Sequence, residues 1–262
     1  MARTVLIVPC YNEASRLDAD AFVAGLDRVP GLWFRFVDDG STDGTLEVLE
    51  ALRRRAPERI AVTRCAKNGG KSEAVRQGVL AALRDDPPDY VGYWDADLAT
   101  PLVEVPRFVE RFAEGPDVRV VLGSRVRLLG HHIKRKMSRH VFGRGFATVV
   151  STMLSLHVYD TQCGAKLFKV DADLEDAFGE PFMSRWVFDV ELLVRLMIRW
   201  EAQGIEASHV VVEQPLARWE DVAGSKVSFA DGLKAIAEVG AIGNRYRRVL
   251  VPRRARIGWA DP

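Results

Sequence analysis

Two carboxylates at the end of one predicted strand are the clearest chemical feature of the sequence. Asp95 and Asp97 close the segment YVGYWDAD, in which an apolar run leads into a polar turn. Side chains alternate along a strand, so residues two apart lie on the same face. Two adjacent carboxylates repel each other unless a cation lies beside them, and their hard oxygens favour Mg²⁺ or Mn²⁺. The pair therefore predicts a divalent-metal site, with a turn-capping role as the alternative.

A third carboxylate, that of Asp38, ends an earlier predicted strand within VDDGSTDGT. The nearby Asp43 is explained as the N-cap of the helix that follows, but Asp38 has no such local role. A carboxylate at the end of a buried strand can accept an N–H from a nucleotide base, or it can stabilise its own turn. We favour the base-binding interpretation.

The segment NGGK, residues 68–71, lies between a predicted strand and a predicted helix. Glycine permits close backbone approach at Gly70, and a helix that begins with Lys71 attracts an anion such as a phosphate. The segment lacks the Walker spacing, and the sequence contains no GxGxxG motif. Neither a P-loop NTPase nor a dinucleotide-binding fold is therefore indicated.

The charges are balanced overall but separated along the chain. The formal net charge is +1, from 37 Lys and Arg against 36 Asp and Glu, which argues against a globally basic nucleic-acid binder. Residues 118–159 contain no acid but eight basic residues, and a second basic cluster closes the chain. This separation predicts that one part of the molecule meets an anionic ligand or surface. The eight basic residues are Arg119, Arg125, Arg127, Lys134, Arg135, Lys136, Arg139 and Arg144.

Apolar runs that alternate with amphipathic helical patterns predict the fold. Strands are expected at Val5–Val8, Trp33–Val37, Ile60–Thr63, Val91–Trp94 and Val118–Leu122, and helices at Gly44–Arg55 and Lys71–Leu83. Strands that are apolar on both sides and joined by helices indicate a parallel sheet covered on both faces. Ligands then bind beyond the carboxyl ends of the strands, where the polar motifs lie. We expect an α/β protein with one Rossmann-like domain and a mostly parallel central sheet.

The second half of the chain continues the same domain. Helices are expected at Val141–Leu156, Val187–Trp200 and Phe229–Tyr246, and strands at Lys166–Lys169 and His209–Glu213. The domain is expected to span residues 1–246, with a ligand-binding half at 1–125, a functional second half at 126–246 and a basic tail at 247–262. Glu191 and Arg195 are interpreted as an exposed helical ion pair. Asp189 has no structural explanation.

Cysteine content and hydropathy indicate where the protein works. Cys10, Cys65 and Cys163 form no CxxC pair, which is typical of reduced thiols in a cytoplasmic protein. No apolar run approaches the roughly 20 residues of a membrane-spanning helix. Contact with a membrane is therefore expected to be peripheral.

The ordered motifs resemble those of a known family. PCYNE, VDDGSTDGT, NGGKSEAVRQG and WDADLATP are similar, in that order, to the family 2 glycosyltransferases of GT-A fold. GSR, DTQCGAKLF, RWVFDVELL and W-x-x-x-x-GSK resemble the polyprenyl-phosphate branch of that family. Within the branch the dolichyl-phosphate β-glucosyltransferases are the most similar, followed by the dolichyl-phosphate mannose synthases. Trp219 stands near a position where mannose synthases often carry Arg, which disfavours mannose.

The resemblance implies an inverting transfer from a nucleotide sugar, with UDP-glucose favoured, to a polyprenyl phosphate at the cytoplasmic membrane face. It also implies roles for residues of this sequence. The donor nucleoside would be held by Pro9, Tyr11, Glu13 and Asp38, with Gly70, Lys71 and Asp95 as further donor contacts. The Mg²⁺ or Mn²⁺ would be held by Asp95, Asp97 and Gln162. The phosphates of donor or acceptor would be contacted by Arg125, Arg139, Arg218, Ser225 and Lys226, with Arg135 added from the basic cluster.

The expected chemistry is displacement at the anomeric carbon by an oxygen that is already anionic. A phosphate monoester has a second pKa of about 6 and needs no strong base near neutral pH. Asp97, Asp189 and Arg125 are the predicted catalytic residues. Transfer to a sugar hydroxyl, with Asp189 as general base, remains an alternative, as does a GDP-mannose-dependent synthase. A third alternative is a non-enzymatic module that binds nucleotide sugars or anionic lipids.

The stretch Arg125–Leu156 is the expected membrane-contacting segment. Its first part supplies the basic residues Lys134, Arg135, Lys136 and Arg139. Its second part supplies the apolar residues Phe142, Phe146, Val149, Val150, Met153 and Leu154. The spacing of these apolar residues fits membrane contact and fits equally an ordinary helix packed on the sheet.

Overall fold

The computed structural model describes residues 2–134, 137–220 and 229–256. A seven-stranded sheet lies at its centre, in the strand order β3-β2-β1-β4-β7-β5-β8. The strands are β1 Thr4–Cys10, β2 Leu32–Asp38, β3 Ile60–Arg64, β4 Tyr90–Trp94, β5 Val120–Ser124, β7 Ala165–Lys169 and β8 Val211–Pro215. Two short strands, β6 His132–Lys134 and β9 Arg218–Glu220, pair in parallel as a second sheet.

Helices cover both faces of the central sheet and form two separate hydrophobic clusters with it. On one face the buried residues come from α1 Ala19–Arg28, α2 Thr45–Arg55 and α4 Val105–Glu114. On the other face they come from α3 Lys71–Asp85, α5 Met137–Leu154, α6 Ala172–Gly179, α7 Phe188–Ala202, α8 Ala207–Val210, α9 Phe229–Arg245 and α10 Arg247–Arg256. Two-sided coverage is why strand β1 is buried at nearly every position.

Strand β7 runs against the direction of its neighbours. It pairs antiparallel with β4 on one side and with β5 on the other, whereas the other pairs of the central sheet are parallel. Ala165 at its start is therefore opposite Trp94 at the end of β4. This pairing brings the turn that precedes β7 to the edge of the sheet where the parallel strands end.

The fold prediction is confirmed: the protein is α/β, with a mostly parallel sheet and helices on both faces. The last predicted strand starts later than expected, because residues 207–210 form the short helix α8 before β8 begins at Val211. Residues 247–256 of the expected tail form helix α10. Its Arg253 is buried, pairs with Glu201 and donates to the carbonyl of Leu154.

Helix α5 packs on the sheet in the way an ordinary amphipathic helix does. Phe146, Val150 and Leu154 are buried in the core, while Val149 is exposed. The packing alternative therefore holds for the three buried residues, and the side chain of Phe142 lies outside the described part of the chain. In the ranges that the structure describes, no helix is both long and apolar enough to cross a bilayer.

The expectation of an exposed Glu191–Arg195 pair is wrong. Glu191 is fully buried, and its carboxylate accepts from the Met183 N–H, the Arg195 guanidinium and the Tyr246 hydroxyl. The spacing of four residues on a helix gave the ion pair but not its burial, because the covering residues come from distant segments. The three cysteines are free and buried.

Candidate active site

The loops that follow β1 and β2 interlock at the carboxyl edge of the sheet. Cys10 lies opposite Asp38 in the ladder, and the Asp39 N–H donates to the Cys10 carbonyl at 2.8 Å. Asp38 is 1% exposed, and its Oδ1 accepts from the Ser41 N–H at 3.0 Å. Its Oδ2 finds no hydrogen-bond donor among the described residues, although Arg64 Nε lies 3.9 Å away. One oxygen thus stabilises the turn, and the other can receive a ligand N–H.

The other residues predicted to hold the nucleoside lie on or just after β1. Pro9 is half-buried and Tyr11 is 38% exposed, so both are accessible beside Asp38. Glu13 is buried, and its carboxylate is bonded to the Arg16 guanidinium at 2.5 and 3.0 Å. This pairing engages the Glu13 carboxylate with a neighbour on its own loop.

The glycine loop before α3 is held by an acid from one side and a base from the other. Asp39 accepts from the N–H groups of Gly69 and Gly70, both at 2.8 Å. Arg185 donates to the carbonyls of Gly69 and Asn68 at 3.0 and 3.1 Å and also bonds the Asn68 side chain. Two loop N–H groups that could have bound a phosphate are therefore already occupied. The bond from the Gly70 N–H to Asp39 gives Gly70 a structural role that the sequence did not reveal.

Gly70 also has a backbone reason to be glycine. Its φ is +91°, which side chains rarely allow, and a Cβ there would lie 2.7 Å from Arg185 Nε. The Ser72 N–H donates to the Arg185 carbonyl at 3.2 Å, so the first turn of α3 is tied to the same arginine. The position of Lys71 is thereby fixed from both sides.

Lys71 reaches from the start of α3 to the acidic motif. Its Nζ is 2.5 Å from Asp95 Oδ1. Burial alone would lower the pKa of Lys71, but the charge of Asp95 and the hydrogen bond to it raise that pKa overall. The Asp95 carboxylate lies directly over Gly164, where a Cβ would be 1.8 Å from Oδ2. Only glycine at 164 leaves room for this carboxylate.

Asp97 is the second acid of the motif. Its Oδ1 accepts from the Ala99 N–H at 3.1 Å, and its side chain is exposed to solvent. The surrounding protein nevertheless reduces solvation of its carboxyl and raises the pKa, and the negative charge of Asp95 raises it further. Such crowding of negative charge fits a site for a divalent cation.

The described residues contain no cluster of three His, Cys, Asp or Glu side chains suited to a metal. The acidic pair is therefore an incomplete set, as expected of Mg²⁺ or Mn²⁺ bound by one or two carboxylates and the phosphates of a substrate.

Gln162, Asp189 and Lys166 form a buried network under this edge of the sheet. Gln162 Nε2 donates to Asp189 Oδ1 at 2.7 Å, and Lys166 Nζ lies 3.1 Å from Asp189 Oδ2. Asp189 is 5% exposed and Lys166 only 1%. The Asp189 Oδ1 also accepts from the Val190 N–H, and Lys166 donates to the Cys163 carbonyl. Both oxygens of Asp189 are thus engaged within the protein.

Arg125 is engaged with an acid that sequence reasoning did not single out. Its Nε and Nη2 donate to the two carboxylate oxygens of Asp160 at 2.6 and 2.7 Å. Its guanidinium carbon also lies 5.3 Å from the centre of the Trp219 ring. This double hydrogen bond fixes the plane of the guanidinium next to the DTQCG turn.

Arg218 and Lys134 lie on the small sheet beside Arg125. Glu104 Oε1 accepts from the N–H groups of Ala217 and Arg218 and so fixes the start of β9. Lys134 pairs with Glu220 at 2.9 Å, so one base of the acid-free stretch has an acidic partner from β9. Arg135, Ser225 and Lys226, and the side chain of Arg139, lie outside the described residues.

Sequence reasoning missed the roles of Asp39, Asp160, Lys166 and Arg185. Each is a charged partner of a predicted residue or loop from a different part of the chain. The signals were present in part: Asp39 stands beside Asp38, Asp160 opens DTQCG, and Arg185 precedes the WVFD segment. None of these neighbours reveals the partner, because each contact depends on the tertiary fold.

Comparisons with known proteins agree with this architecture. The family model Glycosyl transferase family 2 matches residues 5–175. A dolichyl-phosphate β-glucosyltransferase of Saccharomyces cerevisiae is 31% identical over 263 residues, which cover 92% of this chain and 74% of the yeast protein. Its namesake in Homo sapiens is 28% identical over 236 residues, covering 85% of this chain and 68% of the human protein.

A solved structure has the same fold at low sequence identity. Glucosyl-3-phosphoglycerate synthase from Mycobacterium tuberculosis, crystallised with Mn²⁺, UDP-glucose and phosphoglyceric acid, superposes with a TM-score of 0.62. The identity is 16%, over 93% of this chain and 80% of that protein. At this identity the similarity shows a shared fold alone.

Proposed function

The chain belongs to glycosyl transferase family 2, and on that premise we propose that it transfers glucose from UDP-glucose to a polyprenyl phosphate. Attack from the side opposite the leaving group would convert an α-linked donor into a β-linked product. The proposal is supported by relatives at about 30% identity that are dolichyl-phosphate β-glucosyltransferases. The fold, of GT-A type, is one that hosts nucleotide-sugar chemistry in the mycobacterial synthase.

The bonding of the Asp189 carboxylate within the protein is the observation that supports a phosphate acceptor over a hydroxyl acceptor. A hydroxyl acceptor needs a general base, and Asp189 is the candidate that the sequence offers for it. Its two oxygens are bonded to Gln162, Val190 and the buried Lys166 ammonium, so neither oxygen is left free to face an acceptor hydroxyl. A phosphate acceptor brings its own anionic oxygen and does not need that base. We therefore assign Asp189 a positioning role.

Asp95, Asp97 and Gln162 would hold the Mg²⁺ or Mn²⁺. The cation would neutralise the donor diphosphate and stabilise it as a leaving group. Lys71, fixed beside Asp95 by the glycine loop, adds a positive charge at the same end of the sheet. Gln162 Nε2 is directed to Asp189, so the amide oxygen is the atom suited to a cation.

The nucleoside would lie over the first two strands. Asp38 would offer a base N–H its Oδ2, which accepts no hydrogen bond from the described residues, and Pro9 and Tyr11 would supply accessible surface beside it. The buried Glu13 would support this surface through its contact with Arg16. The first half of the domain, residues 1–125, would thus bind the donor.

The acceptor phosphate would be met by the second half, residues 126–246, together with Arg125. Arg125 is oriented by Asp160, and Arg218 is exposed on β9. Arg135, Arg139, Ser225 and Lys226 complete the proposed set. The acceptor lies in a lipid bilayer, so the protein would work at its surface, on the cytoplasmic face where UDP-glucose is present.

Incubation with labelled UDP-glucose, Mn²⁺ and polyprenyl phosphate tests the proposal directly. Label in the lipid phase, released by mild acid as free glucose, is the expected result, and the anomeric proton coupling of the intact product should show a β-linkage. Label in a water-soluble glycoside would support the hydroxyl-acceptor alternative, and turnover of GDP-mannose alone would support a mannose synthase. Donor binding without turnover would support the binding module.

A further inference from the structure

The connection between β5 and β6 carries two adjacent exposed leucines. Leu128 is 47% exposed, and Leu129, at 103%, is the most exposed large apolar side chain in the described part of the protein. Isolated exposed apolar residues are normal on protein surfaces. Two neighbouring leucines at the tip of a connection are different, because they form a continuous apolar projection.

The backbone holds this projection in a defined shape. The His131 N–H donates to the Leu128 carbonyl at 3.1 Å, and Gly130 between them has a φ of +82°. A four-residue turn with glycine at a positive φ in its third position is typical of type II, which places Leu129 at the outer corner. The leucines are thus presented by a hydrogen-bonded turn.

The base of the turn is anchored to the two residues that connect β8 with β9 beside the candidate active site. His131 Nδ1 is 2.8 Å from the Leu216 carbonyl, and the His132 N–H donates to the Ala217 carbonyl at 2.8 Å. Leu128 follows Arg125 by three residues, a span of at most about 11 Å. The apolar tip therefore stands next to the proposed acceptor site.

Charge around the turn indicates what covers it. Residues 118–159 contain no acid, and the exposed bases Arg127 and Lys134 flank the turn on its two sides, Lys134 being paired with Glu220 of β9. An apolar tip within basic surroundings is complementary to a bilayer with anionic headgroups, where basic residues are attracted and leucines enter the acyl boundary. On helix α5, whose side chains are described from residue 143 onward, Phe146, Val150 and Leu154 are buried and so do not supply this apolar surface.

We infer that the Leu128–Leu129 turn inserts into an anionic lipid bilayer and sets the distance between the active site and the membrane. This inference rests on the proposed function for its acceptor, but membrane insertion can be measured without catalysis. The occupant is the bilayer; self-association through the turn is an outcome that the test distinguishes.

A fluorescent label measures insertion at the tip. The variant Leu129→Cys can be labelled selectively with an environment-sensitive nitrobenzoxadiazole, because the native cysteines are buried. With vesicles of phosphatidylglycerol and phosphatidylcholine the emission should increase and shift to the blue. The same label at Ile236→Cys, an exposed residue on α9, which packs on the other hydrophobic cluster, should not respond. No response at position 129, or a response to protein concentration without vesicles, would overturn the inference.

A paired substitution measures the contribution to binding. Leu128→Ser together with Leu129→Ser should weaken vesicle binding at least about tenfold, since burial of one leucine is worth about that factor. Ile236→Ser together with Val251→Ser removes exposed apolar surface elsewhere, on α9 and α10, and should bind vesicles like the wild type. Equal vesicle binding by the leucine variant and the wild type would contradict insertion.

Two acceptors separate this inference from the proposed function. The leucine variant should transfer glucose to a short-chain prenyl phosphate in solution at the wild-type rate, and to a vesicle-embedded long-chain acceptor about tenfold more slowly. If the wild type glucosylates neither acceptor, the proposed function fails, while the label at position 129 still decides whether the turn inserts.

Discussion

Gln162 and Asp189 are joined by a hydrogen bond of 2.7 Å that connects the turn before β7 with the first turn of α7. The bond orients the Gln162 side chain, since its nitrogen faces the acid and its oxygen is left for another partner. Lys166 on β7 balances the charge of Asp189 from the opposite oxygen. The three side chains therefore act as one buried unit that supports the DTQCG turn.

Asp189→Asn should destabilise the fold by about 3–5 kcal/mol, because it leaves the buried Lys166 ammonium without a counter-charge. Urea denaturation measures the change in free energy of unfolding. Combining Asp189→Asn with Lys166→Met should recover most of that loss, since no buried charge remains.

Activity of the same double variant tests the role of Asp189. An asparagine side chain still offers an oxygen to Gln162, so glucosyl transfer to a lipid phosphate should persist if Asp189 acts by positioning. A stable double variant that has lost all transfer would instead identify Asp189 as a general base and favour a hydroxyl acceptor.

Asp97→Asn should lower transfer at least about a hundredfold, because several kcal/mol of charge stabilisation depend on the cation that Asp97 would hold. The substitution keeps an oxygen for the Ala99 N–H, so the melting temperature should hardly change. Asp27→Asn, at an acid that is 74% exposed and far along the chain in α1, is the matched control. Wild-type turnover by Asp97→Asn would remove Asp97 from the metal site.

Gln162→Ala should raise the Mn²⁺ concentration needed for half-maximal transfer by about tenfold, a milder effect than loss of a carboxylate. Gln203→Ala breaks a comparable bond between an amide and Asp173 on the surface and serves as the control. Titration of both variants with Mn²⁺ gives the comparison. Identical curves for Gln162→Ala and the wild type would make DTQCG a structural turn only.

Gly70→Ala and Gly204→Ala should share one backbone cost, but only Gly70→Ala should also alter donor binding. Both glycines have positive φ values, +91° and +73°, so each substitution should cost about 1–2 kcal/mol. At Gly70 the new Cβ would also displace Arg185, whereas nothing lies within 4 Å at Gly204. The Michaelis constant for UDP-glucose should therefore rise only in Gly70→Ala. Equal values in both variants would show that the Arg185 contact does not affect the donor.

Local sequence patterns predicted most of the central sheet. Strands β1 to β5 and helices α2 and α3 were expected within a few residues of their bounds, because two-sided apolar runs and helical periodicity are local signals. Helices α1, α4 and α6 were not predicted. The pair Asp95 and Asp97 was found because the period of two places them on one face.

The partners of the charged residues could not be predicted from the same patterns. Arg125 and Asp160 are 35 residues apart, and Lys166 and Asp189 are 23 apart. Such pairs depend on which strands become neighbours, which no local pattern contains. The burial of Glu191 could not be predicted for the same reason, since it depends on Tyr246 and on the chain near Met183.

The reversed direction of β7 has a consequence for the order in which the protein matures during synthesis. Strands β1 to β4 can pair with one another as soon as residues 4–94 have been made. The turn that carries Gln162 comes to the end of β4 only after β7 has inserted beside that strand, and Asp189 must then bond Gln162. A nascent chain can thus possess the strands proposed to bind the nucleoside long before it completes the proposed cation site, so we expect activity only when the second half has folded.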